Sequence, residues 1–487
     1  MNDHLKQFAN HAAYQAAESS LDKPNVSICV QENHVHYNPW TWANAYLTFE
    51  VVESGTITIV ASTGAERTIS YSMDNGNTWT DLTTSRTFQQ LGGGTLNVGD
   101  KVLVKGNNSS YATVSGYDTY YNYFGGTAKV KLYGNIMSLV SGDNFANAKT
   151  LSGVYTFFNL FSGFNNRLLS IENLVLPAIN LQNACYCCMF KNCSSITTAP
   201  ELPATSLRER CYESMFTGCA SLTTAPTLPS TTLTQYCYQS MFRNCTALTK
   251  APALPAMTLT NCCYNSMFEG CTSLVNAPEL PATSLNNYCY AYMFQGCTSL
   301  TTAPTLSATT MKRACYEDMF NGCTSLIDAP VLPATELERD CYAGMFEGCT
   351  NLVTAPSTLP ATTLFVWCYS RMFSGCTKLV AAPTLPSTTL GDYCYSQMFK
   401  NCTSLTTAPE LPATTLRQNC YANMFNGCSS LNYIKMMATD ISASNCLNLW
   451  VYGVAASGTF VKNSTAQWDV SGVNGIPTGW TVQTASE

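Results

Sequence analysis

The chain has 487 residues and a formal net charge of −6, with 11% charged residues, 46% hydrophobic residues and a remainder rich in Thr, Ser and Asn. A neutral polar surface without a basic run argues against nucleic acid or an anionic membrane as the main partner. No stretch approaches the roughly 18 consecutive apolar residues of a membrane-spanning helix, so no membrane insertion is expected.

In chain order, Asp3 to Leu21 is predicted to form a helix, with Leu5, Phe8, Ala12, Ala16 and Leu21 along one side. The opening residues have neither the basic nor the apolar region of a secretory signal, so export by that route is not expected. All four histidines, His4, His11, His34 and His36, lie in this part of the chain. His34 and His36 would place two imidazoles on one face of a strand, either as half a metal site or as polar contacts at an anchoring interface. No His remains elsewhere to complete a catalytic triad.

The run F-x-x-H-A-x-Y-x-A-A-x-x-x-L-x-x-P-N-V-S, followed by E-N-x-V-x-Y-N-P, resembles the amino-terminal segment of structural proteins from phages of Bacteroidales, including crAss-like phages. Phe8, His11, Tyr14, Pro24, Asn25, Val26, Tyr37, Asn38 and Pro39 carry the likeness. The resemblance implies a module, residues 1–45, that anchors the protein to capsid or tail proteins of a virion and supports a homo-oligomer.

Residues 46–134 alternate apolar and polar positions, as in Leu47-Thr48-Phe49-Glu50-Val51 and Thr56-Ile57-Thr58-Ile59-Val60, and turn clusters such as Gly92-Gly93-Gly94 separate the runs. This predicts a small antiparallel β-sandwich. Ser72-Met73-Asp74-Asn75-Gly76-Asn77-Thr78-Trp79 resembles the Asp-box of sialidases, S-x-D-x-G-x-T-W. One copy implies a hairpin, with Asp74 bonding its own turn and Trp79 packing beneath, and not a glycosidase site.

From Cys185 the chain repeats. Ten blocks begin at Cys185, Cys211, Cys237, Cys263, Cys289, Cys315, Cys341, Cys368, Cys394 and Cys420, with a step of 26 broken once by 27, where the Ser357-Thr358 turn holds an extra residue. Such a period predicts a solenoid over residues 185–432, in which each unit buries its apolar face against its neighbours. In one block Leu207, Cys211, Met215 and Cys219 fall at i, i+4, i+8 and i+12, which reads as an amphipathic helix. Ser221-Leu222-Thr223-Thr224 follows as a short strand, and Ala225-Pro226 ends it. The expected fold is an α+β repeat, with residues 135–184 as linker and amino-terminal cap and 433–487 as carboxy-terminal cap.

The pattern C-Y-x-x-M-F-x-G-C-x-S-L-x-x-A-P-x-L-P-A-T resembles the BspA-type leucine-rich repeat, whose core corresponds to Met215-Phe216-x-x-Cys219-x-x-Leu222. The resemblance implies binding, with no enzymatic activity attached to the repeat. Twenty of the 25 cysteines belong to the blocks. Disulfides, zinc and buried thiols are the readings available. Each cysteine has an equivalent copy above and below and no repeat contains His, so buried thiol ladders are preferred.

Positions that vary from block to block point to a contact surface. The residue before each first Cys forms a column with Tyr236, Tyr288, Trp367 and Tyr393, and Phe365-Val366-Trp367 is an apolar triplet. These rings suit glycan or protein contact, or else they cover element ends. Acid pairs such as Glu317-Asp318 and Glu338 with Asp340 are placed at solvated positions, so no catalytic residue, cofactor or metal is assigned. The sequence-level expectation is a non-enzymatic head or tail fibre at the virion surface, assembled in the host cytoplasm and touching a host protein or polysaccharide. A bacterial cell-surface adhesin is the alternative.

Overall fold

The computed structural model describes residues 6–8, 28–30, 35–36, 42–62, 64–115 and 118–485. Strands β1 (Lys6–Phe8), β2 (Ile28–Val30) and β3 (Val35–His36) form a small sheet in which β2 pairs parallel to β1 and antiparallel to β3. This corrects the predicted helix at Lys6–Phe8. Pairing with the β-branched Ile28 and Val30 outweighs a short amphipathic pattern that has little helical stability of its own. Phe8 lies in β1 and His36 in β3. The rest of the predicted helix, together with His4, His11, Tyr14, Pro24, Asn25, Val26, His34, Tyr37, Asn38 and Pro39, lies outside the described residues.

Next come β4 (Leu47–Glu53), β5 (Gly55–Ala61), β6 (Thr68–Ser72), β7 (Thr80–Thr83), β8 (Gln89–Leu96), β9 (Lys101–Gly106), β10 (Ala112–Ser115), β11 (Asp118–Gly126) and β12 (Lys129–Asn135). They form two antiparallel sheets, ordered β10-β11-β5-β8 and β12-β4-β9-β6-β7. Alternation places Leu47, Phe49, Val51, Ile57, Ile59, Val102 and Val104 in the core between them. The Asp-box is the β6–β7 hairpin: Thr78 N–H and Oγ donate to Asp74 at 2.9 and 2.7 Å, and Trp79 Nε1 donates to the Gly76 carbonyl at 3.0 Å. The two Thr78 bonds, with Ser72 Oγ donating at 2.7 Å as well, hold the Asp74 carboxyl down at about 2. The second sheet continues through β13 (Leu168–Ser170) and β14 (Leu174–Val175), both parallel to β12, so the sandwich core runs directly into the repeats.

Within the blocks the predicted helix is absent. Backbone N–H groups alternate between two destinations. Tyr212, Ser214, Phe216 and Gly218 donate to Cys237, Gln239, Met241 and Arg243 of the next block at 2.7–3.0 Å, while Cys211, Glu213, Met215 and Thr217 donate three residues back. Every fourth residue is left-handed, as at Arg210 (φ 58°), Ser214 (54°) and Gly218 (76°). The segment is therefore a ladder of turns with a period of four. Half of its donors are committed to the neighbour, which removes the i→i−4 bonding of a helix. The predicted strand is likewise reduced to isolated parallel bridges such as Thr198↔Thr224 and Thr224↔Lys250, because the proline two residues on, Pro226 in this block, has no N–H to extend the ladder. The repeat is thus built of turns and bridges, with almost no helix.

This geometry stacks identical side chains. Ten tyrosines from Tyr186 to Tyr421 lie near-parallel with centroids 5.7–5.9 Å apart. Ten phenylalanines from Phe190 to Phe425 do the same at 5.6–5.9 Å. Phe157 and Phe161 begin the two columns, and Trp450 ends both. The parallel strands β15 (Tyr433–Met436), which precedes Trp450, and β16 (Thr459–Lys462) and β17 (Thr481–Thr484), which follow it, form a sheet that closes the chain.

The second cysteine of each block has its own role. Cys219, Cys245, Cys271, Cys297 and Cys323 donate Sγ–H to the Phe carbonyl one block earlier at 3.1–3.2 Å. Burial pushes the Cys185, Cys271 and Cys349 thiols up to about 12, so they stay protonated and unreactive near neutral pH. Alkylation without reductant should label few block cysteines in the native chain and nearly all after denaturation. Block cysteines still unlabelled in denaturant would reveal disulfides and sink the thiol-ladder assignment.

Candidate functional site

In each block the residue before the first Cys and the residue four later share the left-handed conformation and one face. Tyr288 with Tyr292, Trp367 with Arg371, Tyr393 with Gln397 and Asn419 with Asn423 all have φ between 53° and 60°. Stacking the blocks turns these pairs into a groove of about 670 Å³, whose lining includes Tyr288, Tyr292, Glu317, Asp340, Trp367, Arg371 and Tyr393.

Three of the four column aromatics, Tyr288, Trp367 and Tyr393, therefore meet in one place. Tyr236 lies apart from the groove, under the Arg210 guanidinium at 4.1 Å. Phe365 is 51% exposed and outside the lining. All four column rings are half-buried. They touch neighbouring blocks: Arg313 lies 5.4 Å from Tyr288, Arg339 lies 4.5 Å from Trp367, and Tyr393 packs against Trp367 at 5.3 Å with the rings tilted by 50°.

The acid pairs need correction, because solvation was expected and burial is found. Asp318 is buried and the Asp340 side chain is only 14% exposed, while Glu317 is half-buried and Glu338, paired with Lys312, stays near the surface. Asp318 and Asp340 sit at left-handed positions that face the groove side of the stack, where neighbouring blocks cover them. One glycine makes the arrangement possible. Gly344 is left-handed (φ 60°), and a Cβ there would collide with the Asp318 carboxylate. Without that Cβ, Arg371 reaches across the Gly344 block to Asp318 at 3.7 Å, and it also holds Glu347 at 2.7 Å.

Burial, with the charges of Asp318 and Asp340, raises the Glu317 carboxyl to about 7 against the opposing effects of Tyr292 and Arg371. Burial likewise raises Asp340 and Glu347 despite their arginines. Among the described residues no cluster of His, Cys, Asp and Glu has the makings of a metal site, and no helix is long and apolar enough to cross a membrane.

Sequence reasoning singled out the column before each Cys and missed the column four residues later, which supplies Tyr292, Asp318, Arg371, Gln397 and Asn423. The signal was available, since residues four apart share a face in a helix and in this turn ladder alike.

The repeats match the BspA type leucine rich repeat region, in six copies over residues 162–301, 262–379 and 345–449, which together span more than half of the chain. A solved structure, a leucine rich cell surface protein from Faecalibacterium prausnitzii, is similar at 14% identity with a TM-score of 0.28, covering 68% of this chain and 88% of that one. No curated protein matches the sequence.

Proposed function

The chain belongs to the BspA-type leucine-rich repeat family, and from that premise we propose that it is a non-enzymatic, adhesin-like protein displayed on a surface, where its groove holds a partner. The observation that carries this reading is the groove itself: block-to-block variation is concentrated on one face, and that face is concave, polar and ring-lined. In the finer form of the proposal the blocks make one elongated solenoid and the sandwich is its spacer. The carrier is a virion, with residues 1–45 binding capsid or tail proteins and supporting a homo-oligomer. The likeness of Phe8 to Pro39 to phage structural proteins favours that carrier, and a bacterial cell surface is the alternative.

Mass spectrometry of purified phage particles beside fractionated uninfected cells separates the two. Recovery in stoichiometric amount from particles supports the virion, and recovery only from the cell envelope makes the chain a bacterial adhesin. For the contact face, the double change Phe365→Ala and Trp367→Ala is expected to weaken attachment to target cells by about tenfold or more. Because Phe365 is exposed and Trp367 half-buried, the melting temperature should move by only a few degrees. Unchanged attachment would remove this edge of the groove from the contact surface.

A further inference from the structure

The charges around the groove do not balance locally. Asp340 is held by Arg339 at 3.1 Å and Arg313 at 3.8 Å. Arg371 holds Glu347 and Asp318, and Asp318 also accepts from Asn321 Nδ2 at 2.8 Å. Glu317 lines the groove, and among the described residues it has no basic side chain within 4 Å. Four carboxylates thus share three guanidiniums, and the surplus negative charge sits where a ligand would lie.

The remaining lining narrows the ligand. On the side of the later blocks the groove is lined by Gln397, Asn419 and Asn423, whose amides pair donors with acceptors as hydroxyl and acetamido groups require. Arg339 already lies over the Trp367 ring at 4.5 Å and Tyr393 packs against it at 5.3 Å, so a second cation is better received by the carboxylate than by that indole. A sugar acid would set a second negative charge against Glu317.

We propose that this groove binds a hydroxyl-rich chain bearing an ammonium group, an amino sugar within a polysaccharide, with the ammonium donating to the Glu317 carboxylate and the neighbouring sugars bonding to the amide-lined end. The inference rests on the surface-contact reading above and names the ligand of the same groove. Binding is pH-dependent, because Glu317 must be ionised. Burial first, then the Asp318 and Asp340 charges that face it, raise its carboxyl to about 7 against Tyr292 and Arg371, and Arg313 lines the same groove. Above that pH the carboxylate is ready to accept the ammonium. As the pH falls through it, a proton must be displaced and affinity declines.

The test is calorimetric titration of the full chain with 2-aminoethyl dextran, unmodified dextran and carboxymethyl dextran at pH 5.5 and pH 8, since an alkyl ammonium stays charged across that range. At pH 8 the amine-bearing polymer is expected to bind about tenfold tighter than dextran, with the advantage shrinking at pH 5.5. Glu317→Gln should abolish the advantage at both pH values, while Glu201→Gln, an exposed acid remote from the groove lining, should leave it intact. Equal affinity for the three polymers, no binding of any, or equal effects of the two substitutions would overturn the proposal, the last by showing a general charge effect. A preference for oligolysine over aminoethyl dextran would assign the groove to a peptide and overturn it as well. If the amine preference fails while the Phe365 and Trp367 changes still weaken attachment to cells, the surface-contact reading stands and only the ligand class falls.

Discussion

Phe294→Ala is expected to cost about 3–5 kcal/mol, one of the largest losses available to a single substitution in this chain. The ring is fully buried and stacks on Phe268 at 5.7 Å and on Phe320 at 5.6 Å. Each ring pair contributes roughly 0.5–1.5 kcal/mol beyond its buried area, and alanine removes both pairs and leaves a void between two blocks. Relaxation cannot close that void, because the blocks are tied above and below by the Phe268 to Met293 and Phe294 to Met319 backbone bonds at 2.9 Å. In a stack whose cohesion is a chain of nearest-neighbour interfaces, a weak interface in the middle also divides the cooperative unit. Denaturant unfolding followed by circular dichroism should therefore show a lower midpoint, and a second transition where the unaltered chain has one. A loss below about 1 kcal/mol would mean that the ring columns contribute little to cohesion.

The inward positions were legible because each must fit its own copy. Cys, Tyr, Met and Phe recur without change, the Leu positions depart only to Ile196 and Met311, and all of them are buried. The path of the backbone was not read correctly, and the reason is a near-degeneracy. A spacing of four keeps residues on one face of a helix for a few turns, and it does so indefinitely in a ladder of four-residue turns. Two features separate the alternatives. Four successive apolar positions from Leu207 to Cys219 hold a strict period of four, where a 3.6-residue helix would have drifted. The residue before the second Cys is Gly or Asn in every block, from Asn192 to Gly427, and these are the residues that tolerate left-handed backbone. The groove was half legible: variation marked the column before the first Cys, but the burial of Asp318 and the surplus charge at Glu317 depend on which arginine crosses which block. That was decided by a glycine at 344.

The turn ladder and the helix predict opposite signs for glycine. Gly322 has φ 73°, and its position for a Cβ is 3.7 Å from the Gly296 Cα, while the Cβ position of Gly348 is equally close to Gly322. Gly322→Val would force a β-branched residue into left-handed backbone and press two methyl groups between adjacent blocks. The expected loss is roughly 2–4 kcal/mol, the combined effect of backbone strain and overpacking. Ser240 tests the other direction. It holds φ 53° at the position that Gly344 occupies in its own block, and its backbone bonds to the Asn265 carbonyl and from Thr217 do not depend on its side chain. Ser240→Gly relieves a left-handed penalty of about 1–2 kcal/mol and adds a freedom to the unfolded chain worth about 0.4–1 kcal/mol. The net change should lie between zero and a gain of about 1.6 kcal/mol, whereas a helix interior would lose about 0.5–1 kcal/mol. Thermal unfolding of the two variants beside the unaltered chain decides the matter. If Gly322→Val is tolerated and Ser240→Gly destabilises, the blocks are helical in solution, and the face that forms the groove must be drawn again.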